Sequence, residues 1–290
     1  MKILVLGAGG MLGSAIFRIF SENTKWNVYG TARSNFILNF LDHKLTKKIL
    51  IVQDLVTQNS IKNIFDKVSP DIIINCVALL QRSTTELDAN KYFLINSLLP
   101  QYLAFFSLSY GSRLIHISTD GVFSGKKGFY TEEDYPDSVD NYGVSKALGE
   151  LSYPNTVTIR TSIIGHKLSG EGGLLDWFFS QQGQCPAFTR SIFSGFPTNV
   201  LAEIIRDVVI PRPQLTGVYH VAAPPISKFD LLRLIAQHYG KDIELIPDDK
   251  LVVDRSLDAS LFCKATGYVP PTWPELIDSM HSYHSNFTRT

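Results

Sequence analysis

Short runs of apolar residues alternate with longer amphipathic segments over the first half of the chain. Six runs predict strands, at Ile3–Leu6, Trp26–Tyr29, Ile49–Val52, Ile72–Ile74, Arg113–Ile117 and Val157–Arg160. Helical spacing of apolar residues predicts the intervening helices, chiefly Met11–Phe20, Ile61–Val68, Ala89–Ser109 and Tyr142–Leu151. Strands and helices in alternation form βαβ units, and continuous apolar strands suit a sheet covered on both faces. The pattern therefore predicts an α/β fold with a doubly wound parallel sheet.

The alternation of predicted strands and helices becomes irregular after about residue 162, where loops containing glycine and proline become frequent. Helices are predicted at Leu174–Gln182, Val200–Val209, Lys228–Tyr239 and Trp273–Ser282, with short strands at Val218–Val221 and Ile243–Leu245. We therefore predict two parts, a sheet domain over residues 1–162 and a smaller α/β substrate-binding portion over residues 163–290. Segments of the two parts are free to interleave.

Charge and composition exclude several classes of protein. The chain has 27 basic and 27 acidic residues, a balance that argues against a nucleic-acid binder. No stretch approaches the ~20 apolar residues that a membrane-spanning helix needs. The three cysteines are widely spaced, so neither a disulfide framework nor a metal-binding pair is predicted. A cytoplasmic protein without a metal is the expectation, and a homodimer is left open.

A glycine-rich loop, Gly7-Ala8-Gly9-Gly10-Met11-Leu12-Gly13, lies directly between the first predicted strand and the first predicted helix. A tight turn and the close approach of a pyrophosphate to amide groups at a helix N-terminus both favour residues without a β-carbon. In this position the loop is typical of a Rossmann-type dinucleotide site. The predicted contacts are Gly7, Gly9, Gly10, Met11, Leu12 and Gly13.

The ends of the next two strands predict which dinucleotide binds. Such sites usually carry an acidic residue after the second strand, to hold the ribose hydroxyls. Here that strand ends in Ala32-Arg33, and a cation suits a 2′-phosphate, which favours NADP(H) over NAD(H). A solvated surface arginine is the alternative interpretation. Asp54 and Leu55 end the third strand, where Asp54 either contacts the adenine or caps the following helix.

Tyr142 and Lys146 are four residues apart on a predicted helix and therefore share one face. A nearby cation favours the phenolate and brings the tyrosine pKa closer to neutrality. The preceding strand, Arg113–Ile117, ends in Ser118-Thr119-Asp120. Because ligand sites in open parallel sheets lie at the carboxyl ends of strands, we predict a carbonyl-binding acid site there.

Together these motifs resemble those of the extended short-chain dehydrogenase/reductases, and within them most closely the dTDP-4-dehydrorhamnose reductases. The resemblance spans nearly the whole chain. It rests on the glycine loop, on Ser118-Thr119-Asp120-Gly121-Val122-Phe123-Ser124-Gly125 and on Tyr142-Gly143-Val144-Ser145-Lys146-Ala147-Leu148-Gly149-Glu150. Arg255 and the segment Gly267…Pro271-Thr272-Trp273 match the C-terminal pattern of the family.

The resemblance implies roles for individual residues. Tyr142 would protonate the substrate oxygen, Lys146 would lower the pKa of the phenol and hold the nicotinamide ribose, and Thr119 would bind the carbonyl. The implied cofactor contacts further along the chain are Cys76, Val77, Ala78, Asn96 and Ser118. For Asn96 the alternative is a buried polar residue that needs internal partners.

The substrate side is less well marked. It is predicted to include Thr119, Asp120, Val122, Phe123, Trp177, Arg190 and Arg255. Arginines suit phosphate groups and aromatic faces suit a nucleobase, although aromatic residues such as Trp177, Phe188 and Phe193 are equally typical of a core. Gly121 replaces the tyrosine common in the reductases, and residues 162–170 have no close match to the family pattern.

The expected function is NADPH-dependent reduction of a nucleotide-activated 4-keto-6-deoxy sugar for cell-surface polysaccharide synthesis. An epimerase or dehydratase that retains its cofactor is the first alternative, since one fold hosts several reactions. Dehydratases usually carry an Asp–Glu pair where this chain has Asp120-Gly121, which counts against that reaction. A regulatory subunit that binds NADP without turnover is the second alternative.

Overall fold

A computed structural model describes residues 1–80, 90–168 and 172–287 of the chain. The strands are β1 (Lys2–Leu6), β2 (Asn27–Ala32), β3 (Ile49–Ile51), β4 (Ile72–Asn75), β5 (Arg113–Ile117), β6 (Thr156–Arg160), β7 (Ile163–Ile164), β8 (Gln184–Phe188), β9 (Ser191–Phe193), β10 (Phe196–Pro197), β11 (Gly217–His220), β12 (Ile226–Ser227), β13 (Glu244–Asp248) and β14 (Val253–Asp254). The α-helices are α1 (Met11–Ser21), α2 (His43–Thr46), α3 (Gln58–Val68), α4 (Leu99–Ser109), α5 (Asn141–Leu148), α6 (Leu174–Ser180), α7 (Thr198–Ile204), α8 (Lys228–Tyr239), α9 (Ser260–Thr266) and α10 (Trp273–Phe287). Two π-helical segments, Phe93–Leu98 and Ile205–Val209, adjoin α4 and α7, and short 3₁₀ turns cover Asn35–Phe40 and Asp120–Val122.

Within the described residues the main sheet has seven strands in the order β11-β6-β5-β4-β1-β2-β3, all parallel. Strand β1 pairs with β2 on one side and with β4, which comes later in the chain, on the other side. This reversal of strand order opens a crevice at the carboxyl ends of β1 and β4, where open α/β sheets bind ligands. The predicted doubly wound, Rossmann-type fold is confirmed.

Alternating residues of β1 show why both faces of the sheet are covered. Ile3 and Val5 pack into one buried cluster with α1, whereas Leu4 and Leu6 pack into a second cluster with α3 and α4. Successive side chains of a strand point to opposite faces, so an uninterrupted apolar strand requires helices on both. The core therefore lies in two layers, one on each side of the sheet.

The strand at Gly217–His220 corrects the six-strand prediction. β11 lies beyond residue 162, yet it pairs with β6 and adds a seventh strand to the main sheet. In this pairing His220 lies opposite Arg160. Short strands that lack a run of apolar residues, such as β9 and β14, gave no sequence signal. The predicted start of a helix at Ala89 lies outside the described residues.

The later part of the chain packs against helix α1 and forms small sheets of its own. β8 and β13 form a parallel pair, and β9 joins β12 and β14 in a small sheet. α10 contacts α8 and α7, and α7 packs against α1 of the sheet domain. Among the helices that the structure describes, none combines the length and the apolar character needed to span a bilayer.

Candidate active site

The glycine loop borders a cavity of about 460 Å³ at the crevice of the sheet. Gly7 has a φ of +80°, and Gly7, Gly9 and Gly10 all line the cavity. A β-carbon on Gly7 would lie 3.1 Å from Val77, and one on Gly13 would collide with the Gly7 carbonyl group. The glycines therefore permit the turn, the exposed backbone and the close packing of α1 on β1.

Met11, Leu12 and Gly13 do not line the cavity, and their contact with a cofactor stays a prediction. Leu12 is buried in the core with α1, and Met11 is half-exposed at the first helical position. Neither residue lines the cavity, and Gly13 serves helix packing. The amides of Gly7 and Gly10 already donate within the protein, to Thr31 Oγ1 and to the Gly7 carbonyl, so of the three cavity-lining glycines Gly9 is the one whose amide suits a ligand.

The ends of β2 and β3 form the opposite wall of the cavity. Arg33 and Ser34 follow β2 there, and Asp54 and Leu55 follow β3. Asp54 accepts a hydrogen bond from the Val56 amide at 2.9 Å. The helix cap of α3 is instead Thr57, whose hydroxyl accepts from the Ser60 amide. The helix-cap interpretation of Asp54 is therefore wrong, and its carboxylate stays beside the cavity.

Asn96 braces the site from inside the protein. Its side chain is fully buried, and its amide accepts from the Leu79 N–H at 2.8 Å and donates to the Leu79 carbonyl at 3.1 Å. It also donates to Ser145 Oγ at 3.1 Å. Asn96 lies in the π-helical segment before α4, and such segments often occur at functional sites. The amide therefore ties the cavity wall at Leu79 to the helix that carries Tyr142.

Cys76, Val77 and Ala78 line the cavity where β4 ends, as the resemblance implied. The Val77 amide donates to Asn75 Oδ1 at 3.1 Å, which fixes the backbone of this segment. Burial raises the pKa of the Cys76 thiol to about 12. The thiol is therefore neutral near pH 7 and forms part of the wall.

Thr119, Tyr142 and Lys146 converge at the end of β5. Asp140 caps α5 by accepting from the Gly143 amide at 2.8 Å, which starts the helix one turn before Lys146. Thr119 is hydrogen-bonded to the phenol of Tyr142. The Lys146 ammonium is buried and donates to the Ile117 carbonyl at 2.7 Å. A hydroxyl, a phenol and an ammonium group are thus held within two neighbouring elements.

Burial has the largest effect on the pKa values of Tyr142 and Lys146. Burial raises the pKa of Tyr142 to about 12, with Asp120 and Asp140 adding to the rise. The hydrogen bond from Thr119 and the charge of Arg255 oppose it. Arg255 is thus a cation that lowers the pKa of the phenol, and the same role for Lys146 stays a prediction. Burial lowers the pKa of Lys146 to about 8.

A second group of charges lies beside the phenol. Burial raises the pKa of Asp120 to about 6, opposed first by the charge of Arg255 and then by hydrogen bonds from Thr119 and Ser162. Lys228, at the start of α8, interacts with Asp120 and Arg255, and Arg255 Nε is buried without a hydrogen-bond partner among the described residues. Lys228 was missed by sequence reasoning, because it belongs to no motif.

A second cavity of about 380 Å³ adjoins this charged group through Lys228. Its walls are formed by Gly173, Leu174, Trp177, Pro186, Ala187, Phe188, Lys228 and Leu232. Trp177 is 41% exposed, so its ring is open to a ligand. The cavity brings together the aromatic residues and one cation that a nucleotide site requires.

Other predicted substrate residues lie elsewhere. Val122 and Phe123 are fully buried in a cluster with Tyr130, and Phe193 packs in the main core. Arg190 is exposed in the turn between β8 and β9. Ser118, which the resemblance implied as a cofactor contact, has a buried side chain that donates to Glu150 at 2.7 Å. These side chains are either buried in the protein or exposed on the surface away from the two cavities. Their positions therefore do not favour direct contact with a ligand.

Several known proteins are similar to this chain in sequence. A dTDP-4-dehydrorhamnose reductase of Aggregatibacter actinomycetemcomitans is 25% identical, with 97% of this chain and 99% of the relative aligned. The spore coat polysaccharide biosynthesis protein SpsK of Bacillus subtilis is 30% identical over 84% of this chain and 82% of its own length. The methionine adenosyltransferase 2 subunit beta of Xenopus laevis is 32% identical over 82% of this chain and 72% of its own length.

Solved structures show the same fold. A dTDP-4-dehydrorhamnose reductase of Clostridium acetobutylicum superposes with a TM-score of 0.81 at 22% identity, covering 98% of this chain and all of that one. One of Bacillus anthracis, in complex with NADP, has a TM-score of 0.77 at 20% identity, covering 97% and 99%.

The family model for the RmlD substrate binding domain matches residues 1–251. The predicted relationship to the sugar-nucleotide reductases of the short-chain dehydrogenase/reductase type is therefore confirmed, and with it the oxidoreductase class at the level of the family. The chain belongs to the RmlD substrate-binding-domain family.

Proposed function

We propose that this protein reduces a nucleotide-activated 4-keto-6-deoxy sugar with NADPH. The observation that carries the proposal is the convergence of Thr119, Tyr142 and Lys146 at the end of β5, beside the cavity of the glycine loop. The names of the reductase relatives support the substrate class, and the name of SpsK supports a role in polysaccharide synthesis. A cytoplasmic location and a homodimer stay predictions.

The residues around the larger cavity fit a nicotinamide dinucleotide, which when bound supplies hydride to the carbonyl carbon. The Gly9 amide and the N-terminus of α1 suit the pyrophosphate, since a helix N-terminus favours an anion, whereas the Gly10 amide already donates to the Gly7 carbonyl at 2.9 Å. Arg33 suits a 2′-phosphate, and Cys76–Ala78 would pass beneath the cofactor. These positions favour NADP(H) over NAD(H).

The proton would come from Tyr142. A phenol with a pKa of about 12 is protonated at neutral pH, so it begins the reductive direction as a proton donor. Thr119 would hold the carbonyl oxygen within reach of that phenol. The phenolate left after transfer needs a cation, and Arg255 and Lys146 are the cations at this end of the sheet.

The smaller cavity suits the nucleotide part of the substrate. The faces of Trp177 and Phe188 would stack on the base, and Lys228 with Arg255 would face the phosphates. Both cations lie near Asp120, which borders the Tyr142 phenol. A nucleotide sugar bound in this way would place its sugar beside Thr119 and Tyr142.

The test is NADPH oxidation with a panel of keto nucleotide sugars. We expect stoichiometric oxidation with a 4-keto substrate and a loss of about 10²-fold or more in turnover for Tyr142→Phe, because the general acid is removed. NADPH affinity should persist in that variant. Tyr153→Phe is the matched control, since Tyr153 is 51% exposed after α5. Normal turnover in Tyr142→Phe would remove the phenol from the mechanism.

A second candidate is a regulatory subunit that binds NADP without turnover. The specific observation that favours it is the 32% identity to the methionine adenosyltransferase 2 subunit beta of Xenopus laevis. The retained set of Thr119, Tyr142 and Lys146 weighs against it. Co-purification with a larger enzyme, NADPH binding and no turnover on the whole panel would favour the subunit over the reductase.

A further inference from the structure

Three hydrogen bonds converge on the carboxylate of Glu150, directly behind the proposed active site. Ser118 Oγ donates to Oε1 at 2.7 Å. Arg160 donates through Nε to Oε1 at 2.8 Å and through Nη2 to Oε2 at 2.7 Å. The two charged side chains are only 5% and 9% exposed. Glu150 and Arg160 therefore form a bidentate ion pair in the interior.

The position of Arg160 is fixed on its other sides as well. Its Nη1 lies 3.2 Å from His220 Nε2, and the other ring nitrogen of His220 lies 3.0 Å from the Tyr130 carbonyl oxygen. The guanidinium group also stacks over the ring of Phe123 at 5.1 Å. Since all three nitrogen atoms of the guanidinium have partners and Phe123 covers one face, Arg160 holds the Glu150 carboxylate in place.

This carboxylate and the Lys146 ammonium are attached to neighbouring residues of one strand end. Glu150 is bonded to Ser118, the residue before Thr119, and Lys146 is bonded to the carbonyl of Ile117. The charge of Glu150 raises the pKa of Lys146, against the larger lowering by burial. The other titratable groups around Lys146 are the Cys76 thiol and the His116 imidazole.

We propose that Glu150 is a positioning residue, which fixes the strand end that carries Thr119 and places a negative charge near the buried Lys146 ammonium. The proposal rests on the proposed function, in which Lys146 acts as a cation at the nicotinamide ribose and the phenol. It assigns the buried Glu150–Arg160 pair to the active site, although neither side chain lines either cavity.

The titration of Lys146 in the protein without cofactor gives a direct test. Lysine labelled with ¹³C at Cε is incorporated, and the Lys146 resonance is assigned by its loss in Lys146→Met. In Glu150→Gln, which keeps the shape of the side chain but removes its charge, we expect the titration midpoint to fall by about one pH unit. An unchanged midpoint would overturn the proposal.

A matched control is Glu132→Gln. Glu132 is a second carboxylate of this network, and it accepts from the His220 amide at 2.7 Å. The charge of Arg160 lowers the pKa of Glu132 against a larger rise from burial, and Glu132 is not among the charges that act on the pKa of Lys146. We therefore expect the Lys146 midpoint to stay at the wild-type value. An equal fall in both variants would show a general loss of packing and would contradict a specific role for Glu150.

Glu150→Gln leaves Arg160 buried without a counter-charge, which can prevent folding. The double variant Glu150→Gln, Arg160→Met removes both charges and can be measured if the single variant does not fold. We expect the titration midpoint of Lys146 to fall in the double variant as well. NADPH oxidation by the wild type is measured separately. Failure of the wild type to oxidise NADPH would contradict the proposed function, whereas an unmoved midpoint would contradict only the role of Glu150.

Discussion

Arg33 is the residue that we propose separates the two nicotinamide dinucleotides. It is exposed after β2 and lines the larger cavity with Ser34, at the position where an acidic residue would favour an unphosphorylated ribose. We expect Arg33→Ala to weaken NADPH binding by about tenfold or more and NADH binding little, since only NADPH carries the 2′-phosphate. Dissociation constants for both cofactors, measured by fluorescence titration, check this.

Arg233→Ala is the control for that experiment, because Arg233 is an exposed arginine of α8 that pairs with Asp230. Its removal should leave both affinities unchanged. Equal weakening of NADPH and NADH in Arg33→Ala would assign Arg33 to the surface and would leave the cofactor preference without its main support.

At the scale of elements, α5 is held against its neighbours at both ends by glycines. A β-carbon on Gly143 would collide with the Gly121 carbonyl oxygen and with Ser138, and one on Gly149 would collide with the carbonyl oxygen of Asn96. Neither glycine has a positive φ, so close approach is the reason for both. The helix that carries Tyr142 and Lys146 is thereby set by backbone contacts.

The Gly149→Ala variant tests this packing. We expect the free energy of unfolding to fall by about 1–3 kcal/mol, because overpacking at a tight backbone contact moves the helix or its neighbour. Urea unfolding measures the change, and turnover should fall with it. Leu148→Ala, at a side chain 59% exposed on the same helix, should change the stability by no more than about 0.5 kcal/mol. Wild-type stability of Gly149→Ala would contradict the role of the contact.

At the scale of the whole molecule, buried histidines link stability to pH. The ring of His166 stacks on His284 with centroids 3.5 Å apart, and its Nε2 lies 2.9 Å from the Tyr239 hydroxyl. Burial, with the charges of His284 and His281, lowers the pKa of His166 from 6.5 to about 4. Burial similarly lowers the pKa of His220 to about 4. These imidazoles are neutral in the folded protein but become charged near pH 6.5 in the unfolded chain.

Because folding lowers the pKa of these histidines, acid destabilises the folded protein. A histidine whose pKa is depressed by folding contributes stability above pH 6.5, and that contribution is lost as the pH falls toward 4. We expect His166→Asn to lose less free energy of unfolding between pH 7 and pH 5 than the wild type does. Urea unfolding at both pH values checks this, with the exposed His43 giving the control His43→Asn. Identical pH dependence in wild type and His166→Asn would contradict it.

The sequence by itself determined the parallel sheet, the glycine turn at Gly7 and the motifs that carry Thr119, Tyr142 and Lys146. Each of these depends on patterns within one or two adjacent elements, where apolar periodicity and turn chemistry act directly. The order of the strands then follows from a small set of allowed connections. For this reason the family and the fold could be predicted before any coordinates were known.

Only the tertiary structure decided which distant side chains meet. Lys228 reaches Asp120 from another part of the chain, and the Glu150 carboxylate accepts a hydrogen bond from Ser118, 32 residues earlier. The pKa of Tyr142 rises because burial outweighs the nearby cations, an effect that spacing along the sequence does not contain. Burial and long-range pairing depend on how the elements pack in three dimensions, whereas local patterns record only which elements form.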